Sequence, residues 1–217
     1  MPSDTFHVVF IYAENEPRLQ RIADVLATIE DVELRENPAD MDLSERTRIP
    51  YEFGPLVGSI EAANYRSRQK GGWGAHVSLP QDRYGLSSDD HDVNAEACRH
   101  IIDLTQRLYQ ELPKRPALVF STSPTFAATT TPLPDRNDSG TFDWPRKYTT
   151  WLDIYTPDEV ETIGRETLLS APAPRIDELT DGSVLIASKH PLEVSEHQLD
   201  DVGSHLGIPT WLECIEE

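Results

Sequence analysis

The stretch Trp151–Ser188, WLDIYTPDEVETIGRETLLSAPAPRIDELTDGSVLIAS, decides how the chain is read. Its opening, Thr149 to Tyr155, reads as a strand. Trp151, Asp153 and Tyr155 alternate with Leu152 and Ile154, so both faces are partly apolar, as in a strand buried between two layers. Thr156-Pro157-Asp158-Glu159 is a capping box with Pro at the first helical position. Tyr155 and Val160 are spaced to staple across it, and the spacing predicts a helix to about Leu169. Arg175 to Leu179 and Ser183 to Ser188 then read as two strands turning at Asp181-Gly182, a favoured hairpin dipeptide.

Moving toward the C-terminus, Ser195 to Gln198 forms a second capping box, with Val194 and Leu199 as its staple. That helix is expected to stop at Gly207, ahead of Pro209, with a final strand at Thr210 to Ile215. The order of this part is β-α-β-β-α. Moving toward the N-terminus, residues 123–147 carry Pro124, Pro132, Pro134, Pro145 and a threonine run, and read as a long loop. Before it, Phe6 to Ala13 is a strand and Leu19 to Ile29 has helical spacing. Short strands are expected at Val32 to Arg35 and Gly74 to Leu79, and a strand at Ala117 to Thr122. Ala97, Cys98, Ile101, Leu104, Leu108 and Leu112 line one face of the clearest helix. Residues 36–72, rich in Pro and Gly, read as turns with a short helix near Leu56 to Tyr65.

The expected fold class is therefore α/β (α+β). It is either two tandem ferredoxin-like βαββαβ lobes or one mixed sheet covered by helices. The expected domains are an N-terminal α/β lobe at 1–122, the Pro/Thr-rich loop at 123–147 and a C-terminal α/β lobe at 148–217.

Charge narrows the function classes. Asp and Glu total 38 against 19 Lys and Arg, a formal charge of -19 over 217 residues. Lys is scarce, confined to Lys70, Lys114, Lys147 and Lys189. Like charge opposes compaction at low salt and is screened at molar salt, where the Debye length falls to about 3 Å. An acidic, lysine-poor chain thus reads as a halophilic type. The charge also argues against nucleic acid as a partner, which calls for a basic footprint. No run approaches 18 apolar residues, so no membrane span is expected, and the N-terminal stretch lacks the basic n-region of a signal peptide. Two separate cysteines, Cys98 and Cys214, fit a reducing cytoplasm, and Cys98 on an apolar stripe reads as a small buried hydrophobe.

Four features carry chemistry. His76-Val77-Ser78-Leu79 places an imidazole and a hydroxyl two apart on a strand, able to act together on a phosphate. The tetrapeptide resembles one half of the His-x-Ser/Thr signature of the two-histidine phosphoesterases. That family needs two copies, and no second copy is present: His7-Val8-Val9-Phe10 lacks the hydroxyl, and His190 precedes Pro191. The second feature is Tyr65 to Trp73, where Arg66, Arg68 and Lys70 stand beside Gly71, Gly72 and Trp73 with no acid, a candidate ligand-binding loop. The third, Asp89-Asp90-His91-Asp92, reads as helix capping and not as a metal site. The last is aromatic: Trp144, Tyr148, Trp151 and Tyr155 are candidate anchors for a protein partner, against the plainer reading of a buried strand.

No cofactor or metal motif is found, and the other histidines do not converge. The expected function is a non-catalytic, partner-binding, acidic cytoplasmic protein, inhibitor- or immunity-like, with another protein as partner. The alternative is a phosphoesterase-like enzyme acting on a phosphate-containing small molecule or RNA end. His76 would then serve as acid or base, Ser78 as phosphate donor, and Arg66 or Arg68 as anion clamp.

Overall fold

Alternating apolar residues build the described strands into one antiparallel sheet. The computed structural model describes residues 5–12, 19–37, 39, 48–54, 56–64, 73–80, 91–112, 115–122, 146, 148–188 and 196–210. The strands are β1 (Thr5–Tyr12), β2 (Val32–Leu34), β3 (Arg48–Phe53), β4 (Leu56–Asn64), β5 (Trp73–Pro80), β6 (Leu118–Thr122), β7 (Leu152–Tyr155), β8 (Arg175–Glu178) and β9 (Val184–Ala187). The helices are α1 (Leu19–Leu26), α2 (His91–Glu111), α3 (Pro157–Ile163), α4 (Arg165–Leu169) and α5 (Glu196–Leu206). The described strands form a nine-stranded sheet in the order β2-β3-β4-β5-β1-β6-β7-β9-β8.

The α+β class stands, with a different layout. The expected lobes share one sheet, joined where β6 pairs with β7 through Val119 opposite Ile154 and Phe120 opposite Asp153. Every strand pair in it is antiparallel, so it is not the mixed sheet considered from the sequence. Among the described residues, a parallel bridge from Thr149 to Thr210 lies outside the strands. The expected strand from Thr149 therefore starts at Leu152, and residues 211–217 lie outside the described residues.

The largest departure is at residues 48–64. The helix expected near Leu56 to Tyr65 is strand β4, in a hairpin with β3. Ile49, Tyr51 and Phe53 alternate into the core, which is the period of a strand. Pro50, which reads as a breaker, lies just beyond Tyr51–Phe53, the part of β3 that β2 pairs. Gly54 makes the turn at φ 55°, and a Cβ there would lie 2.7 Å from the His100 ring of α2. Only glycine meets both demands. The His100 ring in turn stands edge-on to Phe53 at 5.2 Å.

Farther along, the single helix expected to Leu169 is broken into α3 and α4 at Gly164, whose φ of 103° is not helical. The cap itself forms: the Thr156 N–H donates to the Glu159 carboxylate at 2.7 Å. The Asp181-Gly182 hairpin and the stop of α5 at Gly207 match the sequence.

Two layers of helix bury the sheet. Helices α1 and α2 cover the face carrying Val8, Phe10, Tyr12, Ile49, Tyr51, Ile60, Val119, Ile154 and Leu185. At 21 residues, α2 is long enough to run from the β4 side to the β8–β9 hairpin, about 30 Å. Its Tyr109 hydroxyl hydrogen-bonds the Ser183 hydroxyl at 2.7 Å, and Asp103 pairs with Arg175 at 2.9 Å. On the opposite face, α3, α4 and α5 pack Val160, Leu168 and Val202 over Tyr155, Val184 and Ile186.

Candidate functional site

The best-defined polar constellation is built around Arg146, which precedes β7 and lies over the face shared by Asp153 and Tyr155. Arg146 is 4% exposed, Asp153 1% and Glu159 0%. The Arg146 Nε donates to Glu159 Oε1 at 2.8 Å, and Nη1 to Asp153 Oδ1 at 2.7 Å. Its Nη2 donates to the carbonyls of Val119 and Ile154, each at 3.1 Å. The guanidinium also lies 4.6 Å from the centre of the Tyr155 ring. Asp153 further accepts from the Thr150 N–H at 2.7 Å and its hydroxyl at 2.9 Å.

Burial drives the electrostatics. Both Asp153 and Glu159 are held above the usual carboxylate range, first by desolvation, with Arg146 pulling the other way. Two carboxyl groups share one cation, so neither has a counter-ion to itself. Burial works against the Arg146 charge, yet the two carboxylates hold it firmly protonated. Each guanidinium nitrogen is already engaged and no edge faces water. The cluster is therefore a clasp joining β6, β7 and the first turn of α3, and it offers no open coordination to a ligand.

The sequence-derived candidates separate into three groups. Arg66, Arg68, Lys70 and Trp144 lie outside the described residues. Tyr148, Trp151 and Tyr155 are interior, at 4%, 4% and 0% exposure, which corrects their reading as anchors on the surface. The reason is packing: the Tyr148 ring stands edge-on to Phe120 at 5.8 Å, Trp151 joins the core under α2, and Tyr155 lies in the core under α3. Cys98 is buried too, and its thiol is pushed up to about 12 by desolvation, which makes it an inert packing group.

The third group is on the central strands. Trp73 pairs with Tyr12 and Asn64 at the end of β5. His76 and Ser78 lie in mid-strand, where His76 is opposite Glu61 of β4 and Ser78 is opposite Ser59. On the other side of β5, Ser78 is opposite His7 of β1. Sequence reading had no access to that register. It likewise passed over Arg146, one of three cations in the Pro-rich loop, and gave Glu159 only its capping role.

No helix among the described residues is long and apolar enough to cross a membrane, and no cluster of potential metal ligands is found among them. No protein-family model matches the chain, and no curated protein matches it. Among solved structures it is similar to the Pseudomonas aeruginosa T6SS protein PA0821, with 13% identity and a TM-score of 0.48, over 94% of this chain and 73% of that one.

Proposed function

We propose that this protein acts by binding a basic protein surface, as an inhibitor or immunity protein does, and not by catalysis. One observation carries the reading: where the charges are spent. Arg115, Arg146, Arg165 and Arg175 are each engaged by carboxylates of the chain itself. Glu30, Asp31 and Glu33, near the β2 edge, are exposed and make no ion pair with a described residue. The same holds for Asp158, Glu161 and Glu166 on α3 and α4. Among the described residues, these unpaired acids therefore belong to the surface. Such a field steers oppositely charged partners and selects against acidic ones.

With Tyr148, Trp151 and Tyr155 interior, the version of this reading that relied on those anchors gives way to an electrostatic one. The cytoplasmic and halophilic expectations belong to the same proposal. The immobilised chain, exposed to a lysate at about 0.1 M salt, should retain a basic protein and release it near 1 M, where the Debye length is about 3 Å. Purified with that protein, it should show an affinity falling steeply with salt. Retention of neutral or acidic proteins alone, or an affinity indifferent to salt, would overturn the proposal.

A further inference from the structure

The shortest ladder among the described strands lies where the two halves of the sheet meet. β6 pairs with β1 along all of Leu118–Thr122, and β7 pairs with β9 along all of Leu152–Tyr155. Between β6 and β7 the ladder holds only two pairs, Val119 with Ile154 and Phe120 with Asp153. The same register would next bring Ser121 to Leu152, and that pair is not formed.

Side chains continue the seam beyond the break. The Ser121 N–H donates to the Thr150 hydroxyl, and the Leu152 N–H to the Ser121 hydroxyl, each at 3.1 Å. The Ser121 hydroxyl donates to that of Thr150 at 3.1 Å, and Thr150 donates to Asp153 at 2.9 Å. Asp153 takes up Arg146, which reaches the carbonyls of both strands and Glu159 of α3. Every member of this relay is buried. A backbone ladder carries no titratable group, whereas this seam hangs on the charge state of two carboxyl groups that share one guanidinium.

The opposite face is tied differently. Helix α2 packs on residues of both halves, Ile49 and Ile60 on one side and Leu179 and Leu185 on the other. It also holds the β8–β9 hairpin through Tyr109 to Ser183 and Asp103 to Arg175. A parting of β6 from β7 is therefore a hinge movement backed by α2, and not a separation of the halves. Opening returns buried ions to water and recovers their desolvation cost, which an apolar seam cannot do.

We propose that the β6–β7 seam is a pH-dependent latch, closed by the Ser121–Thr150–Asp153–Arg146–Glu159 relay and opening on the face away from α2 as pH rises. Among the described residues, the titratable and charged groups that face Asp153 and Glu159 are Arg146 and Tyr155. Arg146 stays protonated, and burial holds the Tyr155 hydroxyl well above its usual range and so neutral. The titration therefore belongs to the two carboxyl groups. Both are raised when closed, first by desolvation, so the closed seam keeps protons that the open one releases. Raising the pH then favours opening.

The test is native-state hydrogen exchange of the full chain, read as protection with the intrinsic rate divided out, as pH is raised from about 4 toward neutrality. The amides of Ser121, Thr150 and Leu152 should lose protection, by up to about tenfold per pH unit for each proton released. Those of Tyr51 on β3 and Leu104 on α2 should keep theirs. The slope should persist near 1 M salt, because a buried cluster is screened far less than surface charge. Asp153→Asn should reduce the slope at the seam. Protection lost equally at the seam, β3 and α2 would make the relay a brace of the whole fold and overturn the latch. So would seam protection that does not change with pH, or a slope abolished by salt. The wild-type measurement decides even where the variant fails to fold.

Discussion

The two faces of the sheet solve opposite problems. Under α1 and α2 the strands present an aliphatic and aromatic layer, with Phe10, Tyr51, Ile60, Ile154 and Leu185 in one cluster. On the other face lie the buried ions Arg146, Asp153 and Glu159. The first face tolerates exchange among residues of similar size, since its contacts are non-directional. The second depends on particular partners, because a buried charge that loses its counter-ion has no solvent to replace it. The difference locates where this fold can hold chemistry and where it can only pack.

The largest expected effect breaks that contrast at its most directional point. Arg146→Ala leaves Asp153 and Glu159 buried without a cation, and should cost about 3–5 kcal/mol in urea unfolding. A loss under about 1 kcal/mol would mean that the cluster does not hold β6, β7 and α3 together.

A second effect sharpens the comparison through pH. Asp153 and Glu159 are raised in the folded chain, so it keeps protons that the unfolded chain has already released. Their contribution is complete below the unfolded values, about 4, and is lost as pH climbs through the folded ones. Melting temperature should therefore rise as pH falls from neutrality toward about 4, and continue to do so near 1 M salt, where surface repulsion is screened. Asp153→Asn should flatten the profile. A wild-type profile that is already flat at high salt would place the titrating groups on the surface instead.

The smallest effect is a control on the outside of the molecule. Arg165 and Glu178 form a short pair, Nε to Oε1 at 2.6 Å, with side chains 55% and 39% exposed. Exposed pairs are weakened by solvent and salt. Glu178→Gln should leave the urea midpoint unchanged, and a clear drop would show that ion pairs count alike on the surface and inside.

Legibility followed the range of the signal. In the C-terminal part the Thr156–Glu159 cap, the Asp181-Gly182 hairpin and the end of α5 at Gly207 were all readable, because each is written in consecutive residues. Residues 48–64 misled for the same reason. Pro50, Gly54 and Pro55 are local breakers, while the hairpin they interrupt is held by pairing with β2 and β5. The buried polar constellation was barely legible: Glu159 read only as a cap, and nothing local marked Arg146 or Asp153 as its partners.

By itself the sequence determined the acidity, the α+β class and the elements whose caps and turns lie within a few residues of one another. Tertiary structure alone decided that the two halves share one sheet, that Tyr148, Trp151 and Tyr155 turn inward, that Arg146 finds its carboxylates, and that His7 lies beside Ser78. Those outcomes depend on strand register, which is fixed by burial of a whole face and has no signature in any single segment.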